Sequence, residues 1–354
     1  MSHKKCKKAS FIVFSAVLAA FLCGSAPAYA QLHSPTPFGS AFTPPNYPDI
    51  QNEDLWQAFK EVAALGNHLS LMIHWRESNL QVSELKRLFD LCREIGLKTV
   101  LQLNPTSVGQ PAPPSGLPPS FGDDEVQARF LADVGSLAGL HPDYLVLATE
   151  VNFMHYVNPQ EFARFVPLYQ AAYQKVKEIS PQTRIGASFH LDLFFAAEDQ
   201  DLVQQIGPQD FVGFTTYPAW TVYKGLYPQA GQIPSAYYDR IRDAVPDLPV
   251  VFSEVGWPSS GPGSDQDQAD FVASLPRLMQ NVRPELITWS MLHDVNFFNA
   301  GTLTPEQADV IRSFNVTPEE LFDQLNSMGL LTREGPAKPA WFQALELSFA
   351  FSLF

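Results

Sequence analysis

Residues 144–162 read Tyr144-Leu-Val-Leu-Ala-Thr149-Glu150-Val-Asn152-Phe-Met-His-Tyr-Val-Asn158-Pro159-Gln-Glu161-Phe162, and they hold one whole unit of the fold. The first six residues are an apolar run with no polar alternation, the pattern of a strand buried on both faces. From Phe162 the spacing changes. Phe162, Phe165, Val166, Tyr169, Tyr173 and Val176 follow the i, i+3, i+4, i+7 rule of one buried helical face. Asn158, Pro159 and Glu161 start that helix with a cap, a proline in the first helical position and an acid in the third. The same start recurs at Thr304-Pro305-x-Gln307 and Thr317-Pro318-x-Glu320.

Outward from this unit, strands are expected near Phe38–Phe42, Leu69–His74, Thr99–Leu103, Tyr144–Thr149, Arg184–Phe189, Phe211–Thr216, Val250–Ser253 and Ile287–Ser290. Helical segments lie between them. Strand-then-helix eight times over predicts an α/β protein whose parallel sheet closes into a (β/α)8 TIM barrel, a single domain spanning residues 31–354. A doubly wound open sheet is the alternative. It calls for a phosphate-binding glycine motif at a switch point, but no G-x-G-x-x-G is present, and Gly261-Pro262-Gly263 lacks the helix that such a loop needs. The proline-rich stretch Pro105 to Gly122 reads as a long rim loop rather than a linker. Further rim loops follow the sixth strand, with Tyr217, Trp220, Tyr223 and Tyr227, and the eighth, from His293 to about Thr304.

The first thirty residues are of another kind. Lys4, Lys5, Lys7 and Lys8, the apolar stretch Phe11 to Leu22, and Ala28-Tyr29-Ala30 make the basic, apolar and small-x-small series of a secretory signal peptide, with cleavage expected after Ala30. Twelve apolar residues fall short of the roughly twenty that span a bilayer. Cys23 raises the alternative of a lipid anchor, but Leu22 stands where a small residue is expected. A secreted or periplasmic protein without stable membrane insertion is therefore expected. Losing four lysines and no acids moves the formal charge from −14 to −18, which repels phosphate backbones and excludes nucleic acid as a partner. Of three cysteines only Cys92 remains. It falls on an apolar helical stripe with Leu85, Leu88 and Phe89, so a buried structural thiol is expected.

In such a barrel the site lies at the C-terminal ends of the strands, so polar residues that end apolar runs are read first. Glu150 ends the fourth run and Glu254 the seventh, Val250-Val-Phe-Ser-Glu254. A carboxylate removed from water needs compensation, and a structural ion pair is the alternative reading for either one. Two carboxylates across one cleft are what cleavage of a glycosidic bond requires. Here the sequence resembles the retaining glycosidases of glycoside hydrolase clan A. Phe252-Ser-Glu254-Val-Gly-Trp257-Pro258 is similar to the nucleophile segment of family 53 endo-β-1,4-galactanases and family 17 β-1,3-glucanases, and Phe211-Val-Gly-Phe-Thr-Thr-Tyr217-Pro218 to the galactanases' sixth strand. Gly329-Leu-Leu-Thr-Arg-Glu-Gly335-Pro-Ala-Lys338-Pro339-Ala-Trp341 is similar to a closing segment common in the clan.

The resemblance implies a β-glycoside hydrolase with Glu150 as acid/base and Glu254 as nucleophile, acting on a β-linked polysaccharide or oligosaccharide, endo-acting rather than exo-acting. It implies an ionised Glu254, held by donors such as Tyr217 or Arg76, and a raised pKa on Glu150. Clan members usually place an asparagine before the acid/base to bind the sugar 2-hydroxyl. Thr149 stands there instead, as in family 113 β-mannanases, and Asn152 is a candidate for the missing donor. Trp289 at the end of the eighth strand is a candidate stacking platform, alternatively core. Trp220 and Trp257 join the aromatic rim. His190, Asn104, His74 and Arg76, ending strands five, three and two, are candidates for hydroxyl binding. The histidines form no H-E-x-x-H pair and no G-x-S-x-G elbow occurs, so neither a metal, a cofactor nor a serine nucleophile is expected. The other class of function is a non-catalytic carbohydrate-binding barrel. A monomer is expected.

Overall fold

The computed structural model describes residues 38–77, 82–219, 227–261 and 263–350. The signal segment, Trp220 and Tyr223 lie outside the described residues. All eight expected strands form, and they run parallel. They are Phe38–Ala41, His68–His74, Lys98–Asn104, Tyr144–Val146, a fifth in two pieces (Arg184–Gly186 and Ser188–His190), Val212–Thr216, Val250–Val255 and Leu286–Trp289. Strand one pairs with strands two and eight, and the pairing continues to four on one side and six on the other. The fifth strand closes the ring. Its first piece pairs with strand four, Tyr144 opposite Arg184, and its second with strand six, Ser188 opposite Gly213. Hydrogen bonds from Leu147 N to Gly186 O and from Ser188 N to Ala148 O, both 2.9 Å, carry the pairing past the break at Ala187. The chain is a single-domain (β/α)8 barrel.

The helices pack outside the ring by the expected apolar faces. Helix Pro159–Ile179 buries Phe162, Phe165, Leu168, Tyr169 and Val176, and Asn158 caps it by accepting from Glu161 N at 3.2 Å. Each such large apolar side chain contributes roughly 1.5–3 kcal/mol when fully buried. Cys92 is buried on helix Val82–Glu94, and desolvation pushes its thiol up to about 12, so it stays protonated and inert. Among the described residues no helix is long and apolar enough to cross a membrane.

Two segments reach beyond the regular pattern. The loop after strand three forms a small hairpin, Thr106–Ser107 against Gln110–Pro111. After strand eight the chain makes a long excursion, a 3-10 turn (Ala300–Thr302) followed by helices Pro305–Arg312 and Pro318–Asn326. Both helices begin with the expected capping boxes, on Thr304 and Thr317. The foot of the excursion is pinned by Lys338, 5% exposed. Its ammonium donates to Asp294 Oδ1 at 2.7 Å, Ser259 Oγ at 2.9 Å and Ser327 O at 3.2 Å. This lysine joins the loops after strands seven and eight, which gives the closing segment of the sequence a physical role. Lys338→Met strands the Asp294 carboxylate, so a loss of about 3 kcal/mol or more is expected. A thermal melt at neutral pH checks it, and an unchanged Tm would contradict the role of the pin.

Candidate active site

Both glutamates reach the mouth of the barrel through a local departure from strand geometry. Strand four ends at Val146, three residues earlier than the sequence suggests, because residues 147–150 bend toward helix Val151–Val157. Glu150 itself sits in the left-handed region, φ 55° and ψ 49°, a costly conformation for a residue with a side chain and one that concentrates at functional sites. Strand seven carries a bulge. Phe252 is opposite Phe214, but the next paired residue, Glu254, is opposite Thr215, so Ser253 is an extra residue. A bulge re-aims the side chain that follows it. Across the lumen, the Gln102 amide donates to Ser70 Oγ at 3.1 Å and to the Ser253 carbonyl at 3.2 Å, which fixes the peptide just before Glu254.

Thr215 lies between the two acids. It is opposite Glu254 in the sheet and fully buried, and its hydroxyl donates to Glu150 Oε1 at 2.7 Å. The backbone N–H of Glu150 donates to Ser188 Oγ at 3.3 Å. Tyr217 donates its phenol to Glu254 Oε2. Burial above all, then the charge of Glu254, holds the Tyr217 pKa well above the ordinary tyrosine value, so the phenol remains a donor. Gly256 makes room for that ring, since a Cβ there would come within 2.7 Å of Tyr217 Cε1. The glycine in Glu254-Val-Gly256-Trp257 is thereby explained by close approach.

The electrostatics reverse one expectation. Glu254 is 8% exposed, and its carboxyl is pushed up to about 8, first by desolvation and second by the charge of Glu150, with the Tyr217 hydrogen bond opposing both. Among the described residues no basic side chain pairs with Glu254. Arg76, expected to hold it ionised, is exposed and donates to Ser107 Oγ at 3.3 Å. The second Glu254 oxygen, Oε1, is buried with no hydrogen-bond partner among the described residues.

The remaining sequence candidates divide. Thr149 is 6% exposed, adjacent to Glu150, and its hydroxyl is buried without a partner among the described residues. His74 and Asn104 end strands two and three opposite one another, both partly exposed. Asn104 Oδ1 is engaged by the backbone N–H and the hydroxyl of Thr106, at 3.1 and 3.2 Å. Asn152 is fully buried and clasps the backbone of His190 from both sides, donating to its carbonyl at 3.0 Å and accepting its N–H at 2.8 Å. It therefore stabilises the end of strand five instead of replacing the missing asparagine. His190, 7% exposed, caps the following helix through Nδ1. Trp289 is fully buried, its indole donating to Met328 O at 2.9 Å, so neither face is open for stacking. Trp257 is equally buried, 5.0 Å from the ring of Phe271. Both tryptophans are core. Thr215, Ser188 and Gln102 were missed because single uncharged polar residues inside an apolar strand carry no periodic signal. Among the described residues no group of three or more His, Cys, Asp or Glu could hold a metal ion.

No protein-family model matches the chain, and no curated protein matches it. Solved structures do. A family 5, subfamily 18 glycoside hydrolase from Streptomyces cattleya, solved in complex with Manβ1-4GlcNAc, superposes with TM-score 0.62 at 18% identity, covering 88% of this chain and 79% of that one. An exo-β-1,4-mannosidase from an Opitutaceae bacterium gives TM-score 0.65 at 15% identity over 93% of this chain, which spans 63% of the mannosidase. The family 53 catalytic domain from Ignisphaera aggregans gives 0.58 at 14% identity, with 90% and 97% covered. This chain has the TIM-barrel fold of those glycoside hydrolases. At such identities the likeness is one of fold.

The raised Glu254 pKa makes a stability prediction. Ionising Glu254 is disfavoured in the folded state, so the wild-type protein keeps its full stability below about pH 4.5, the ordinary value, and loses some as pH rises toward about 8. Glu254→Gln removes that loss. The variant should melt close to wild type at pH 4 and several degrees above it at pH 8.5. Parallel melting curves across that range would contradict the buried-acid reading.

Proposed function

We propose that this protein is a retaining β-glycoside hydrolase that cleaves a β-linked polysaccharide or oligosaccharide by double displacement, with Glu150 as acid/base and Glu254 as nucleophile. The observation that carries this reading is the pair itself: Glu150, just past strand four, and Glu254 on strand seven meet at Thr215, which lies opposite Glu254 in the sheet and donates to Glu150 Oε1 at 2.7 Å, with no cation paired to Glu254 among the described residues. The likeness in fold to a family 5 glycoside hydrolase solved with Manβ1-4GlcNAc, to an exo-β-1,4-mannosidase and to a family 53 catalytic domain supports this reading.

In the productive form of the pair Glu150 carries a proton and Glu254 is a carboxylate. With that proton on Glu150, its transfer to the glycosidic oxygen accompanies breakage of the C–O bond, and an oxygen of Glu254 forms the covalent glycosyl ester. Glu150, now a carboxylate, then takes a proton from a water molecule as its oxygen attacks the anomeric carbon, which frees Glu254 and restores the starting form. Thr215 fixes one oxygen of Glu150 and leaves the other for the proton. Tyr217 orients Glu254 and steadies the charge that returns to it on hydrolysis of the ester. Thr149, adjacent to Glu150 and with a hydroxyl that has no partner among the described residues, is the sugar-hydroxyl ligand in this reading. The acidic surface and the basic, apolar and Ala-x-Ala leader fit an exported enzyme whose mature chain begins at Gln31.

Glu254→Ala is expected to abolish turnover and to be rescued by azide with formation of a glycosyl azide of inverted anomeric configuration. Glu150→Ala is expected to keep cleaving aryl glycosides with activated leaving groups while losing natural substrates. Thr215→Val should lower turnover of poor leaving groups about 10-fold or more, a part of the roughly 10²–10⁴-fold that general acid catalysis supplies, and Thr215→Ser should restore it. Glu254 must be ionised to attack and its carboxyl is pushed up to about 8, so activity should rise as pH approaches about 8. Full activity in either glutamate variant would contradict the assignment, and sugar binding with no turnover by the wild type would favour a carbohydrate-binding barrel.

A further inference from the structure

The excursion after strand eight does not stay at strand eight. Its buried residues Ile311, Phe314 and Val316 pack against Val108 of the hairpin after strand three and against Phe153 of the helix that follows Glu150. Phe314 lies 5.7 Å from Phe153 and 5.6 Å from Tyr156, ring to ring. Gln307 works in two directions: its carbonyl oxygen caps its own helix at Thr304 N, 3.0 Å, and its amide donates to Ser107 Oγ of the hairpin at 3.2 Å. Arg76, just past strand two, donates to the same Ser107 oxygen. At the near end Phe298 stacks on Phe322, and Tyr47, past strand one, meets Phe297 edge-on at 5.2 Å. Asn326 holds the base closed, donating to Phe298 O at 3.0 Å and accepting from Phe298 N at 3.2 Å.

These contacts form a continuous wall along the rim from strand eight, past strands one and two, to strands three and four. The pairing order of the sheet fixes what that wall does. A line from Glu150, just past strand four, to Glu254 on strand seven divides the mouth into two arcs, one over strands five and six and one over strands eight, one, two and three. A polysaccharide cut in its middle must leave the mouth over both arcs. The second arc is the walled one.

Resting on the glycosidase reading above, we propose that the wall formed by residues 295–326 against the strand-three hairpin makes this an exo-acting enzyme, one that takes the end of a β-linked oligosaccharide or polysaccharide and removes one or two sugars at a time. This is the reverse of the endo action implied by resemblance to the galactanases. The wall is apolar within and capped at both helix starts, so it is a fixed part of the mouth and not a loop that a passing chain displaces.

The test uses the full mature chain and a panel of reducing-end-labelled β-1,4-linked mannose, galactose and glucose hexasaccharides and β-1,3-linked glucose hexasaccharide, together with the matching polymers. On whichever member is hydrolysed, the expected early products are a mono- or disaccharide and the hexasaccharide shortened by that unit, with no early fall in polymer mass. Mid-chain fragments and a rapid fall in polymer mass would overturn the chain-end proposal while leaving the glycosidase reading intact. No hydrolysis of any member would overturn both. A Phe314→Ala, Gln307→Ala double variant, which loosens the wall without touching either glutamate, should raise the ratio of internal to terminal cleavage several-fold. An unchanged ratio in a folded double variant would also count against the wall.

Discussion

Burying the Glu254 carboxyl beside a second carboxyl, with no cation among the described residues to neutralise either, is the constraint on which the mouth of this barrel depends. Desolvation disfavours the charge, and the Glu150 charge adds to that cost. Stability alone would not keep such a pair, since apolar residues of similar volume do as well or better. The surrounding structure holds it in place. The Ser253 bulge and the left-handed turn at Glu150 aim the two side chains, Thr215 and Tyr217 each donate to one of them, and Gln102 and Gly256 support the strand that carries Glu254.

The fold was legible in the sequence because its signal is repetitive. Eight apolar runs alternate with helical periodicity, and caps such as Asn158-Pro159 and Thr317-Pro318 mark where helices begin. The two glutamates were legible for a related reason: a charged residue ending an apolar strand stands out against it. What failed to show was set by tertiary packing. Nothing local distinguishes an indole on the rim from one in the core, and Trp289 proved to be core only once Met328 was placed as the acceptor of its N–H. Asn152 fits a sugar ligand by type, but proximity to the His190 backbone uses both of its amide groups. The break in strand five at Ala187 and the early end of strand four arise from how the ring closes, which no single stretch encodes.

Charge assignment was the least legible feature. A tyrosine donor on Glu254 was foreseen, but the direction of its pKa depends on how completely the barrel excludes water and how near Glu150 stands, and both are properties of the assembled mouth. The excursion after strand eight is a similar case. Its capping boxes were visible as two short helices, yet their partners, Val108, Phe153 and Ser107, lie about 150 to 200 residues earlier in the chain.

The account turns on Glu254 forming a covalent bond to sugar. Incubation with 2-deoxy-2-fluoro-β-glycosyl fluorides, which form the ester readily and hydrolyse it slowly, followed by proteolysis and mass spectrometry, tests this most directly. The account predicts one glycosyl adduct per chain, carried on Glu254, with activity lost in step with its formation. Turnover of the parent sugar with no adduct, or an adduct on any other residue, would contradict it.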